Sequence, residues 1–73
     1  MKTLHTELEP LLTEHDVARI TGLSVASVRR WRLLRQGPTY IKIGSAVRYD
    51  QRSVLAFIES RPTGGGQEPK EAR

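Results

Sequence analysis

Two short helical patterns broken at Thr21-Gly22-Leu23, a stretch that alternates about a glycine, and one further amphipathic run predict a mainly α domain with a small β-hairpin. In outline this is a winged helix-turn-helix, three short helices plus a two-stranded wing. Seventy-three residues, 37% of them hydrophobic, can bury one small core, so a single domain is expected.

The chain opens on MKTLHTELEP, a polar stretch whose proline disfavours helix at Glu9. Residues 1–10 are expected as a flexible arm, with His5 in solvent. Thr13 begins the first helix as its cap, with Asp16 at the third helical position and Leu12 stapled to Val17. Aspartate reaches back less far than glutamate, so the reciprocal half of this capping box should be weak. The helix should run from about Glu14 to Thr21 and bury Val17, Ala18 and Ile20, with Glu14 and Asp16 at the positive end of its dipole. His15, in the first turn, should be exposed. Gly22 supplies the freedom of the turn, Leu23 should plug into the core, and Ser24 should cap the next helix.

That second helix, Val25 to about Gln36, carries Arg29, Arg30, Arg32 and Arg35, four of the chain's twelve basic residues. At about 100° per residue, Val28 and Trp31 fall on one side, and Ala26, Arg29, Arg30 and Leu33 roughly opposite. One face can pack and the other can read. Arg32 and Arg35 lie nearer the packed side, where their stems snorkel and their heads meet carboxylates or flanking phosphates. Ser27, one turn in, offers a hydroxyl either to phosphate or to water. Gly37-Pro38 should end the helix, with glycine taking the left-handed cap.

Tyr40-Ile41-Lys42-Ile43 then alternates, Gly44-Ser45-Ala46 turns, and Val47-Arg48-Tyr49 returns. Counted by twos, Ile41, Ile43, Val47 and Tyr49 should face the protein and Lys42 and Arg48 the other side. Those two cations can straddle a phosphate ridge or blunt an exposed edge strand. Asp50 should cap onto Ser53, and Tyr49 should staple to Val54. The third helix, about Gln51 to Ser60, should close the core with Val54, Phe57 and Ile58, with Leu55 beside them. Pro62 and the run Thr63-Gly64-Gly65-Gly66 stop it, and residues 62–73 are expected as a disordered tail.

Charge narrows the function classes. The formal charge is +4 and the pI about 10.1, yet residues 11–61 hold nine basic and four acidic residues while both ends are near neutral. A basic centre points to a polyanionic partner, double-stranded DNA foremost. With no Cys and two isolated histidines, no metal or other cofactor is expected. No apolar run approaches the roughly 20 residues of a membrane span and no signal-peptide core is visible, so the expectation is a cytoplasmic protein with no membrane partner. An enzyme is not expected. A tyrosine recombinase needs a nucleophilic tyrosine, several basic residues on one phosphate and a far larger scaffold, whereas Tyr40 and Tyr49 sit where a hairpin packs. An interaction adaptor on the same fold would bind its partner without salt-sensitive DNA affinity.

The stretches LLTEHDVARITGLSVASVRRW and GPTYIKIGSAVRYDQRSVLAFIESR resemble the phage and plasmid excisionases, small winged-helix proteins related to the mercury-resistance regulators. The resemblance covers roughly residues 11–61. It rests on Leu12-Thr13, Leu23-Ser24, Val28-Arg29-Arg30-Trp31, Lys42-Ile43-Gly44 and Val47-Arg48-Tyr49. It implies a DNA-binding recombination directionality factor, in which Ser24, Ala26, Ser27, Arg29 and Arg30 face the major groove and Lys42 and Arg48 form the wing contact. Such proteins bind repeated sites beside an attachment sequence, associate head-to-tail, bend the duplex and steer an integrase toward excision in the nucleoid of a bacterial host. The alternative within the same resemblance is a small transcriptional regulator of a mobile genetic element. The chain departs from the pattern at Leu33-Leu34, where an exposed Leu33 would either touch a neighbour or pack on the wing.

Overall fold

The computed structural model describes residues 8–65, in the order α1 (Glu14–Thr21), α2 (Val25–Leu33), β1 (Ile41–Ile43), β2 (Ala46–Arg48) and α3 (Gln51–Glu59). This is the three-helix, two-strand arrangement expected. Residues 1–7 of the expected arm, His5 among them, and residues 66–73 of the expected tail lie outside the described residues. No described helix is long and apolar enough to cross a membrane.

The core is small and draws on all three helices and the end of the hairpin: Val17 and Ala18 from α1, Val28 from α2, Tyr49 after β2 and Val54 from α3. Leu12, Val25, Trp31 and Val47 pack around it. Tyr49 is almost fully buried. Its backbone also exchanges two 2.8 Å hydrogen bonds with Leu12, an isolated bridge that ties the segment before α1 to the segment before α3. The sequence gives no local sign of that bridge, because the pairing spans most of the domain.

The capping box of α1 is complete, contrary to the expectation that aspartate would fall short. Thr13 N donates to Asp16 Oδ2 at 2.9 Å, and Asp16 N donates to Thr13 Oγ1 at 3.1 Å. Ser24 caps α2 as expected, accepting from Ser27 N at 3.1 Å. At α3, Asp50 stands in the cap position without accepting a backbone N–H. Its link to Ser53 is instead a hydroxyl-to-carboxylate contact of 3.4 Å. Four apolar residues expected in the core or beside it stand substantially in solvent: Ile20 is 48% exposed, Leu23 47%, Leu55 55% and Ile58 39%. Helices of eight or nine residues in so thin a domain present one covered side, and residues beside the central contact keep a wet edge.

α2 ends three residues earlier than expected. Arg35 takes the left-handed conformation at φ 57°, with Arg35 N bonded to Arg32 O at 3.3 Å and Gln36 N to Trp31 O at 2.7 Å. That is the double-bonded helix terminator in which glycine normally sits. α1 ends in the same pattern, with Gly22 at φ 74°, Gly22 N on Arg19 O and Leu23 N on Ala18 O. Gly37, expected as the cap, is also left-handed at φ 85°, but for another reason: a Cβ there would lie 2.8 Å from Trp31 Cβ. The indole lies over Gly37 on one side and 5.1 Å from the Phe57 ring, centroid to centroid, locking α2 to α3.

In the hairpin, Ile41 pairs with Arg48, Lys42 with Val47 and Ile43 with Ala46 around the Gly44-Ser45 turn. Directly opposed residues share a face, so Lys42 lies with Val47, and Arg48 with Ile41. The expectation that Lys42 and Arg48 share a face is therefore corrected. A two-residue turn pairs each even-numbered position with an odd-numbered one, and counting by twos across it inverts the second strand. Ile41 and Ile43, expected to face the protein, are exposed.

Candidate nucleic-acid interface

Thr13, Glu14, His15, Arg29, Arg32, Ser45, Val47 and Arg48 line one open cleft of about 510 Å³ between the start of α1, the middle of α2 and the wing. The helix contributes two arginines and the hairpin one. Of the residues marked in the sequence, the cleft brings together Arg29 and Arg48. Arg30 and Lys42 do not line it, and both are exposed. Ser24 and Ala26 are exposed at the first turn of α2, and Ser27 is half-buried, accepting from Ser24 Oγ at 3.1 Å.

The centre of the cleft is a residue that sequence reading assigned only to a helix dipole. Glu14 accepts from Arg29 Nε at 3.1 Å to each carboxylate oxygen and from Arg29 Nη2 at 2.6 Å to Oε2. Its Oε1 also takes a 3.2 Å bond from Arg32 Nη2. Arg32 Nη1 in turn donates to the buried Tyr49 hydroxyl at 2.9 Å, and its guanidinium lies 5.9 Å from the centre of the Tyr40 ring. A polar chain thus runs from the core outward: Tyr49, Arg32, Glu14, Arg29. Arg32 behaves as expected, its stem packed and its head on a carboxylate. Arg29, placed by sequence on the open face, remains largely exposed while one edge of its fork is occupied. The fifteen-residue separation of Glu14 and Arg29 left no local signal, although Glu14 at the mouth of a helix facing an arginine-rich neighbour is a pairing that the fold class itself suggests.

The electrostatics follow from these contacts. Hydrogen bonds from Arg29 hold the Glu14 carboxyl down at about 2 from its ordinary 4.5, against a rise from burial, with Arg32 adding to the fall. Glu14 raises Arg29, and Arg32 is raised chiefly by its bond to Tyr49 and then by Glu14. Asp16 is lowered mainly by the Thr13 backbone N–H. The three arginines and one glutamate leave the cleft positive. Arg48 Nη1 donates to Val47 O at 2.8 Å, folding its head along the strand. No group of three or more His, Cys, Asp or Glu that could hold a metal ion is present among the described residues.

A positive cleft shared by a capped helix after a tight turn and a hairpin is a surface that a polyanion fits. The chain matches the model of the helix-turn-helix domain over residues 11–62 and belongs to that family of small DNA-binding domains. No curated protein and no solved structure matches it.

Proposed function

We propose that this helix-turn-helix protein is an excisionase: it binds repeated sites beside the attachment sequence of a mobile element, bends the duplex and directs an integrase toward excision. The observation that carries the DNA-binding part is the shared cleft of Arg29 and Arg48, an α2 cation and a wing cation on one opening. In this reading Ser24, Ala26, Ser27, Arg29 and Arg30 approach the major groove, and Arg48, with Lys42 from the other face of the hairpin, holds the flanking backbone. The resemblance at Val28-Arg29-Arg30-Trp31 and Val47-Arg48-Tyr49 supports the narrower assignment.

A nine-residue α2 can make few base contacts, so useful affinity calls for several copies side by side on one duplex. The surface supports such neighbours. Leu33 is 83% exposed, and a separate, mainly apolar groove of about 440 Å³ is lined by Leu12, Ile20, Val54, Leu55 and Ile58 together with Glu9, Gln51 and Arg52. An apolar knob and a distinct apolar groove on one chain suit a head-to-tail contact, which propagates rather than closes. Bending the site costs on the order of 1 to 6 kcal/mol, which phosphate clamps from several copies can offset.

Footprinting the attachment region with the purified protein tests this. Several protected stretches in direct repeat, about one helical turn apart and weakening steeply with salt, are expected. A single protected stretch over a promoter would replace excision with transcriptional regulation, and no salt-sensitive protection anywhere would remove the DNA-binding reading.

A further inference from the structure

We propose that Glu14 is a positioning residue for sequence reading: it grips the Arg29 guanidinium along one edge so that the adjoining edge meets a guanine in the major groove. This rests on the DNA-binding reading above and specifies how that surface discriminates.

The argument begins with which protons are taken. Glu14 occupies Arg29 Nε and one side of Nη2, while Nη1 has no hydrogen-bond partner among the described residues. What remains is the end of the fork, Nη1 and the second proton of Nη2, two parallel donors on a side chain 58% exposed. Two parallel donors match the O6 and N7 acceptors on the major-groove edge of guanine, and no other base offers that pair.

A phosphate also accepts a fork, so the choice between base and backbone has to come from the surroundings. Phosphate clamps work by charge and tolerate a mobile side chain, whereas a base edge is read only by donors fixed in direction. Glu14 lowers the net charge available to phosphates and raises the fixity of the fork, which is the trade a reader makes. The fixity is inherited from the core: Glu14 is 18% exposed and bridges Arg29 to Arg32, and Arg32 is bonded to the buried Tyr49 hydroxyl. Rotamer freedom that a free arginine would lose on binding is already lost in the free protein. Arg29 is the fifth of the nine residues of α2, one turn in from Val25, and the N-terminal turns of a recognition helix are the ones that meet base edges.

The experiment selects bound sequences from a randomised duplex pool with the full chain, Glu14→Gln and Arg29→Lys, with circular dichroism as the check of folding. The native chain should enrich a site with one guanine preferred by roughly 5- to 150-fold over other bases, the range of a good bidentate contact. Arg29→Lys keeps the charge and removes the fork, and should lose that preference while retaining affinity for arbitrary duplex. Glu14→Gln should blur the same position while binding arbitrary duplex more tightly, its salt slope steeper by about one. A merely structural Glu14 would weaken all sequences together. Full guanine preference in Glu14→Gln, or in Arg29→Lys should the former not fold, overturns the inference and leaves the DNA-binding reading standing. A native chain that enriches no sequence overturns both.

Discussion

The two left-handed residues after α2 should respond to substitution with opposite signs, and the reason lies in what surrounds each. Arg35, at φ 57°, is exposed, and an L side chain in this conformation costs roughly 1 to 2 kcal/mol. Arg35→Gly removes that cost and returns roughly 0.5 to 1 kcal/mol of it as extra freedom in the unfolded chain. The net is a gain of about 0.5 to 1 kcal/mol, or about 3 to 6 °C in Tm for a domain of this size. Gly37→Ala meets the reverse situation. Its new Cβ would stand 2.8 Å from Trp31 Cβ and 3.0 Å from Cε3, at φ 85°. Trp31 cannot swing away, because Phe57 backs it at 5.1 Å. Strain and overlap together should cost about 2 to 4 kcal/mol, a large fraction of the stability of a small domain. Urea titrations followed by the emission of the single tryptophan measure both variants, with the slope unchanged if only stability moves. A lower midpoint for Arg35→Gly, or an unaltered one for Gly37→Ala, would refute the assignment of Arg35 as the terminating residue and Gly37 as the seat of the indole.

Further predictions concern the ion pair, the core and the surface. Glu14 titrates near 2 in the folded protein and near 4.5 when free, so its contribution is complete above about pH 4.5 and disappears as pH falls toward 2. Screened by solvent around Arg29, that contribution should be about 1 to 2 kcal/mol, and denaturation midpoints of Glu14→Gln should fall less between pH 5 and pH 2.5 than those of the native chain. Val28→Ala, at a fully buried position, should cost about 2 kcal/mol by the same titration. Leu33→Ala, which adds no charge to the reading face, should stay within about 0.5 kcal/mol of the native stability while lowering the cooperativity of binding to a multi-site duplex and leaving single-site affinity intact. In binding assays at several salt concentrations, Arg48→Ala should weaken all sequences alike and reduce the salt slope. Arg30→Ala should cost roughly 1 to 3 kcal/mol at a single base position if it reads a base, and mainly reduce the salt slope if it holds a phosphate.

Local chemistry made most of the fold legible. Thr13 and Ser24 announce two helix starts by residue type, Gly22 marks the turn between them, and the alternation around Gly44 marks the hairpin, so each element lies close to its expected span. What escaped was set by geometry that no short window contains. The face of Arg48 depends on how many residues the turn holds, and one residue of register inverts it. The end of α2 falls at Arg35, a residue type that does not announce a left-handed cap, while the glycine two residues on is required by the Trp31 indole instead. The hydrophobic count also overstated the interior. Ile20, Leu55 and Ile58 obey helical spacing but lie beside the strip that three short helices can cover, and Leu23 sits in the turn between two of them.

Glu14 shows why an inventory of basic residues is a poor guide to a binding surface. Counted alone, four arginines in one helix suggest maximal attraction for a polyanion, yet one carboxylate at the neighbouring helix start engages two of them. The electrostatic cost is a weaker pull on arbitrary duplex, and the gain is a guanidinium whose direction is fixed before any duplex arrives. Affinity that comes from charge is shared by every sequence, whereas contacts that depend on direction separate one sequence from another. A chain with a nine-residue α2 and few possible base contacts gains more by sharpening each contact than by adding unpaired charge. By that logic the acidic residue in the cleft should matter more to discrimination than either of the freely exposed cations, Arg30 and Lys42.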